Sequence, residues 1–213
     1  MESVGEITKV EVQKNDKQRC SVFVDGEFLL GISAELVYEF KLAKGDVLTE
    51  QALNQLLDQE ELLEAKTAAF NLLSYRQRSR QEIKERLLRK DYELEVVKQV
   101  IQILEQLDYI DDREFAISWT KDRITKGFGP YRIRRQLKEK GVAKELIESS
   151  LEEEYPSQLE YDLAAELATK KRVHYKDADP YERRNKLSQV LKRKGFSFET
   201  INLVLDDLLE EGD

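Results

Sequence analysis

Three stretches of the chain gather cationic side chains at close spacing. The first holds Arg76, Arg78, Arg80, Lys84, Arg86, Arg89 and Lys90. The second holds Arg132, Arg134, Arg135, Lys138, Lys140 and Lys144, and the third Arg183, Arg184, Lys186, Lys192, Arg193 and Lys194. Few acids oppose them: Glu82 and Glu85 in the first, Glu139 in the second, and none between residues 183 and 194. Clusters of this kind engage polyanions, and the planar guanidinium of arginine pairs bidentately with phosphate or carboxylate. The whole chain nevertheless carries a formal net charge of -8. The acids are concentrated elsewhere, in Glu145, Glu148, Glu152, Glu153, Glu154 and Glu160, and again in residues 206–213. Indiscriminate binding to nucleic acid is therefore disfavoured, because the acidic segments repel phosphate from other directions.

Other chemistries lack their residues. His174 is the single histidine and has no Cys or His cluster near it, so it reads as an exposed loop residue and no metal site is expected. Cys20 falls in an apolar alternation and reads as a small buried residue, and a lone cysteine fits a reducing, cytoplasmic setting. Asp111-Asp112 precedes a helical pattern, which makes helix capping a better account than a metal pair. Trp119 stands at helical spacing from Phe115 and Ile124 and is expected to pack in a core, with base stacking the minor alternative. There is no Walker A, GxGxxG or GxSxG sequence. No catalytic residue, cofactor or metal ligand is expected, and the chain is not expected to be an enzyme.

The cationic stretches occupy one element of an internal repeat. RLLRKDY (86–92), QLKEKGV (136–142) and VLKRKGF (190–196) superimpose at offsets of 50 and 54 residues. At those offsets Ile83, Ile133 and Leu187 coincide, as do Leu87, Leu137 and Leu191, each pair forming an i, i+4 apolar stripe. The predicted unit has three helices. The first covers 65–73, 112–126 and 159–171 in the three copies; the second is basic; the third is acidic. Gly141 and Gly195 suit the left-handed position that ends a helix, with Asp91 in their place in the first copy. Gly127-Phe128-Gly129-Pro130 breaks the chain before the second basic helix, and Tyr155-Pro156 is the expected seam between units two and three. With Ile133 and Leu137 facing inward, Arg135 points nearly opposite and Arg132 falls on the outer face.

Residues 1–61 read differently. Residues 7–12, 20–24 and 28–32 alternate as strands around an Asp25-Gly26 hairpin turn, and Ser33 can cap a short helix over 34–40. A further helix is predicted from Thr49-Glu50 to about Asp58. The expected fold is mostly α: three tandem three-helix repeats (62–110, 111–155 and 156–213) in an elongated array, preceded by a small β-rich N-terminal module (1–61). No apolar run approaches the length of a membrane span, and the opening residues do not read as a signal peptide.

Ser79-Arg80-Gln81-Glu82-Ile83 through Leu87, followed by Leu107-Asp108-Tyr109-Ile110-Asp111-Asp112 and Phe115-Ala116, resembles the RecX regulatory proteins. The Gly129-Pro130 break, the basic helix 132–140 and Gly141-Val142 continue the likeness, which covers roughly residues 65–209. Asp91 and Asp108 stand where that family often has glycine, and the N-terminal module lies outside its minimal core. The resemblance implies a monomeric, non-enzymatic, cytoplasmic modulator of the RecA recombinase. It implies binding within the groove of the RecA–DNA filament, mostly inhibiting filament growth, ATP hydrolysis, strand exchange and co-protease action, in recombination, repair and the SOS response. It also implies contact with single- and double-stranded DNA, direct or through RecA. Within the basic helices, Arg78, Arg80, Lys84, Arg132, Arg135, Lys138, Arg183, Arg184 and Lys186 are the expected contacts. Alternatives are a stand-alone DNA-binding protein of helical-repeat type and an α-solenoid scaffold that touches no nucleic acid.

Overall fold

A computed structural model describes residues 2–210 of the chain; the last three residues of the acidic run 206–213 lie outside the described residues, as does Met1. Strands β1 (Ser3–Val12), β2 (Arg19–Val24) and β3 (Glu27–Ser33) lead into α1 (Ala34–Glu39), β4 (Val47–Thr49) and α2 (Glu50–Tyr75). Then follow α3 (Arg80–Leu88), α4 (Leu94–Gln106), α5 (Asp112–Thr125), α6 (Pro130–Glu139), α7 (Lys144–Glu154), α8 (Ser157–Arg172), a single 3-10 turn (Val173–Tyr175), α9 (Pro180–Lys194) and α10 (Phe198–Glu210). Two compact units result, one of residues 1–74 and 86–103, the other of residues 75–85 and 104–213.

In the first unit the four strands form an antiparallel sheet ordered β3-β2-β1-β4. The alternation in Cys20, Val22 and Val24 buries one face, and Ile7, Ile32, Leu36, Leu48 and Leu56 complete the core. Asp25 and Gly26 both take positive φ, at 50° and 89°, which fits the twist of a two-residue hairpin. Ser33 accepts from the Leu36 N–H and caps α1 as expected. β4 was not foreseen: three residues are too few to show a period. The helix predicted to stop near Asp58 instead runs unbroken to Tyr75. Residues 59–65 contain no glycine, proline or asparagine to end a helix, so nothing stops propagation. Glu60 of α2 is buried, accepts from the Ser33 N–H at 2.8 Å and pairs with Arg19 at 2.9 Å, which clamps the sheet to the helix.

The second unit contains two complete repeats. In the first of them α5, α6 and α7 enclose Phe115, Ala116, Ile133, Leu137, Val142, Ile147, Leu151 and Tyr155. In the next, α8, α9 and α10 enclose Ala164, Ala168, Leu187, Leu191, Phe196, Ile201, Val204 and Leu205. The paired apolar positions of the basic helices, Ile83, Leu87, Ile133, Leu137, Leu187 and Leu191, are all fully buried. Asp91, Gly141 and Gly195 all adopt left-handed φ, at 65°, 74° and 91°, so the three basic helices end by the same device. Asp108, at φ 56°, does the same before α5. Asp111 caps α5 through the N–H groups of Arg113 and Glu114. The Tyr155 hydroxyl donates to the Phe128 carbonyl at 3.0 Å and pins the seam before α8.

The two repeats meet where α6 begins. A Cβ on Gly129 would lie 2.3 Å from the carbonyl carbon and oxygen of Gly195 and from the Phe196 nitrogen, all backbone atoms. Replacement G129A should therefore destabilise the chain by about 1–3 kcal/mol through overpacking, measured by urea unfolding. A loss below about 0.5 kcal/mol would show that this contact yields freely.

Candidate polyanion-binding surface

Within the second unit the basic helices meet end to end. The Gly129 N–H at the start of α6 donates to the Lys194 carbonyl at the end of α9, at 2.9 Å, and the Tyr131 N–H donates to the Gly195 carbonyl at 3.0 Å. One repeat earlier, the Ser79 hydroxyl donates to the Lys140 carbonyl at 2.6 Å, so the start of α3 sits on the end of α6. The correspondence is residue for residue, since Ser79 aligns with Gly129 and Lys140 with Lys194 at the repeat offsets. Terminal carbonyls without an intrahelical partner thus meet N-terminal donors without one. The helix dipoles run head to tail across both contacts, which is favourable.

Glu82 organises the α3–α6 contact. Ser79 and Glu82 form a capping box: the Glu82 N–H donates to the Ser79 hydroxyl at 3.1 Å and the Ser79 N–H to the Glu82 carboxylate at 3.4 Å. The same carboxylate takes both guanidinium arms of Arg76, at 2.9 and 3.0 Å, and the Lys140 ammonium at 2.7 Å. Burial alone would raise its pKa; the hydrogen bonds from Arg76 and Lys140 outweigh that and hold it at about 2. Asp112 adds a further cap, accepting from the Arg80 N–H at 2.8 Å. Its own pKa rises, because burial outweighs that hydrogen bond.

The expected contact residues divide by position along each helix. Near the N-termini the arginines are engaged internally. Arg80 pairs with Glu105 of α4 at 3.0 Å, and Arg184 pairs with Asp206 of α10 at 2.7 Å. Arg183 donates to the carbonyls of Tyr175, Lys176 and Ala178 and so closes the loop before α9. Arg132 does not occupy a free outer face: it donates to the Arg193 carbonyl at 3.2 Å and stacks 4.1 Å over Phe128, inside the α6–α9 contact. Arg78 is half-buried and engaged. Lys186 pairs with Glu182 along its own helix at 2.7 Å. Among the described residues, Lys84 is half-buried without an ion pair, Arg135 is exposed with only a 3.5 Å contact to Glu139, and Lys138 is exposed and unpaired.

Among the described residues, three further cations on the basic helices α3 and α9 that the sequence reading did not select also face solvent without an acidic partner: Arg86, Lys192 and Arg193. The signal was present. The wheel argument that selects Arg135, two residues past Ile133, selects Arg193 two residues past Leu191. Lys138 and Lys192 are equivalent repeat positions, whereas the first copy has Leu88 there. The outward cationic strip of the second unit is therefore Arg135 and Lys138 on α6 with Lys192 and Arg193 on α9. Trp119 is half-buried and packs against the α5–α7 core as expected, stacked on Phe115 at 5.7 Å, with the Arg123 guanidinium 3.9 Å and the Lys140 ammonium 4.3 Å from its ring centroid. His174 is exposed in the 3-10 turn and Cys20 is buried. Among the described residues no helix is long and apolar enough to cross a membrane, and no group of His, Cys, Asp and Glu could hold a metal ion.

Comparison with known proteins covers the chain almost throughout. The family model for the regulatory protein RecX N-terminal domain matches residues 5–49, and those for the first, second and third RecX three-helix domains match 65–104, 111–151 and 158–205. The N-terminal module thus corresponds to a described domain of that family, which corrects the expectation that it falls outside. A protein from Bacillus mycoides (strain KBAB4) named regulatory protein RecX is 34% identical over 213 residues, spanning 97% of this chain and 78% of that protein. Another of that name, from Clostridioides difficile (strain 630), is 34% identical over 208 residues and 97% of each chain. A crystal structure of a regulatory protein RecX superimposes with a TM-score of 0.77 at 27% identity, over 95% of this chain and all of that one. RecX from Lactobacillus salivarius superimposes with a TM-score of 0.66 at 28% identity, over 70% of this chain.

Because the Glu82 pKa falls from 4.5 to about 2, its contribution is complete above pH 4.5 and is lost as pH falls toward 2. Replacement E82Q should cost about 1–2 kcal/mol at pH 7, a figure reduced for solvent screening at this partly exposed group. Urea unfolding of both proteins across pH 2–7 should show the two stabilities converging at the acid end. A gap that stays constant with pH would show that charge at Glu82 does not matter.

Proposed function

The chain belongs to the RecX family of regulatory proteins, and on that premise we propose that it binds the RecA–DNA filament and restrains its ATPase, strand-exchange and co-protease activities. The observation that supports this reading most directly is the exposed outward set Arg135, Lys138, Lys192 and Arg193, borne by two basic helices joined end to end, of which only Arg135 has an acidic partner among the described residues, Glu139 at 3.5 Å. Cations spread along successive repeats suit a long polyanion better than a small substrate. Several weak contacts from one chain then act together through effective concentration. Such a protein works as a monomer by occupancy, without a catalytic group, in the cytoplasm where the filament forms.

The contact set carried into this reading differs from that of the sequence alone. Arg135, Lys138 and Lys84 keep their role, and Arg86, Lys192 and Arg193 join them. Arg132, Arg183 and Arg184 are assigned to holding helices together, so their replacement would weaken binding by loosening the protein.

RecA ATPase on single-stranded DNA, titrated with the chain, tests the proposal. The wild-type protein should suppress turnover. The double variant K138E/R193E should retain its helicity and raise the half-inhibitory concentration about tenfold, two charge reversals at a little under 1 kcal/mol each. Equal inhibition by both proteins would remove the strip from the contact. No inhibition by either, with DNA retained in a mobility shift, would favour the stand-alone DNA-binding alternative.

A further inference from the structure

Two exposed aromatic rings flank the contact between α6 and α9. Tyr131, 60% exposed, is the second residue of α6, and its N–H is the group bonded to the Gly195 carbonyl. Phe198, 67% exposed, opens α10 only three residues after Gly195. The two Cα atoms therefore lie within about 18 Å of each other, from the hydrogen bond and the reach of three residues. Each ring has a cation at one face. The Arg134 guanidinium is 5.5 Å from the Tyr131 centroid and the Lys192 ammonium 5.8 Å from that of Phe198. The rest of each ring is open to solvent. Neither ring belongs to the cores of its repeat.

Charge around the rings favours an anion. Lys192, Arg193, Arg135 and Lys138 are exposed on the same two helices. Among the neighbouring acids, Glu148 is bound bidentately by Arg134 at 2.7 and 2.8 Å, which depresses its pKa. Glu160 is spent on the Ser197 N–H at 2.6 Å, and Glu139 contacts Arg135. Glu199, beside Phe198, is exposed and has no ion pair among the described residues. Cations alone would suffice for an acidic protein surface. Open rings interleaved with cations suit a ligand that presents flat π-faces and phosphates together, which is single-stranded nucleic acid. Paired bases hide those faces inside the stack.

We propose that Tyr131 and Phe198 form a base-stacking platform, so that this junction takes unpaired nucleotides directly, with Lys192, Arg193, Arg135 and Lys138 meeting the flanking phosphates. The proposal rests on the reading of this strip as a polyanion surface and specifies the part of the polyanion it holds. It needs no contact with RecA.

The test uses the full chain without RecA and two fluorescent probes of equal length: oligothymidylate, and a strand of abasic residues that keeps the phosphates but has no bases. Oligothymidylate should bind about tenfold more tightly than the abasic strand, and Y131A and F198A should each remove most of that difference. Both variants should bind the abasic strand as wild type does, which separates stacking from misfolding. Y181A serves as control, because Tyr181 is 77% exposed but sits at the far end of α9, about 20 Å from Gly195. Equal affinity of wild type for the two strands would overturn the platform, as would variants that weaken both strands alike. Failure to bind either strand while RecA ATPase is still suppressed would also overturn it and leave the filament reading standing. Normal stacking selectivity with no effect on RecA would uphold the platform and sink that reading.

Discussion

The hydrogen-bonded contact between the end of one basic helix and the start of another sets most of the rest. A helix that stops leaves carbonyls without partners, and a helix that starts leaves N–H groups without partners. Here one set satisfies the other at Lys194–Gly129 and Gly195–Tyr131, and at the equivalent place one repeat earlier the Ser79 hydroxyl, not an N–H, satisfies the Lys140 carbonyl. The geometry imposes its own residue choices. A Cβ on Gly129 would strike the Gly195 backbone and one on Gly195 would strike Arg132, and Gly195 and Gly141 must also turn left-handed to release the chain into the third helix. Once the ends are fixed to each other, the rotation of each helix about its axis is fixed by its buried i, i+4 pair. Lys138 of α6 and Lys192 of α9 then occupy matching outward positions. The cationic strip is thus a consequence of how the helix ends meet.

The same contact explains why so many cations are not available to a partner. Each basic helix sends one arginine to the third helix of its own repeat: Arg80 to Glu105, Arg134 to Glu148, Arg184 to Asp206. Pairs this exposed contribute little individually, about 0–1 kcal/mol. Their recurrence still consumes charge near the helix N-termini, while Lys140 and Lys194 reach across to the preceding turn at Glu82 and at the Lys126 carbonyl. What remains for solvent is the middle and the last turn on the side away from the core. There the cations also complement the negative end of the helix dipole.

Much of this was legible in the sequence, for physical reasons that differ by element. The strands showed through period-2 alternation and the Asp25-Gly26 turn. The repeat showed through apolar pairs whose burial is complete, so their spacing tolerates little drift. The left-handed Asp91 was legible because it stands where Gly141 and Gly195 end the other two basic helices, whereas Asp108 was marked only by the family resemblance. The length of α2 was not, since a stop near Asp58 was assumed without any residue to enforce it. Individual contact residues were the least legible. Two arginines with the same composition and the same helix address, Arg132 and Arg135, have opposite fates, because only Arg132 lies beside the neighbouring repeat's last turn. A helix wheel contains the repeat's own core but no information about its neighbour.

The acidic third helices then acquire a role in selectivity. With a formal net charge of -8, the chain at long range repels a polyanion. At physiological ionic strength that repulsion is screened beyond roughly 8 Å, so the interaction is decided by what lies within that distance of the approaching phosphates. Over α6 and α9 that neighbourhood is cationic at Arg135, Lys138, Lys192 and Arg193, while the exposed acids of α7 make it anionic. An isolated duplex that could approach from any side meets repulsion on most of them. A polyanion presented in one orientation meets only the strip. On the proposed polyanion reading, charge segregation by helix would therefore convert a modest local attraction into a preference for an oriented partner, which a uniformly basic protein of the same fold would lack.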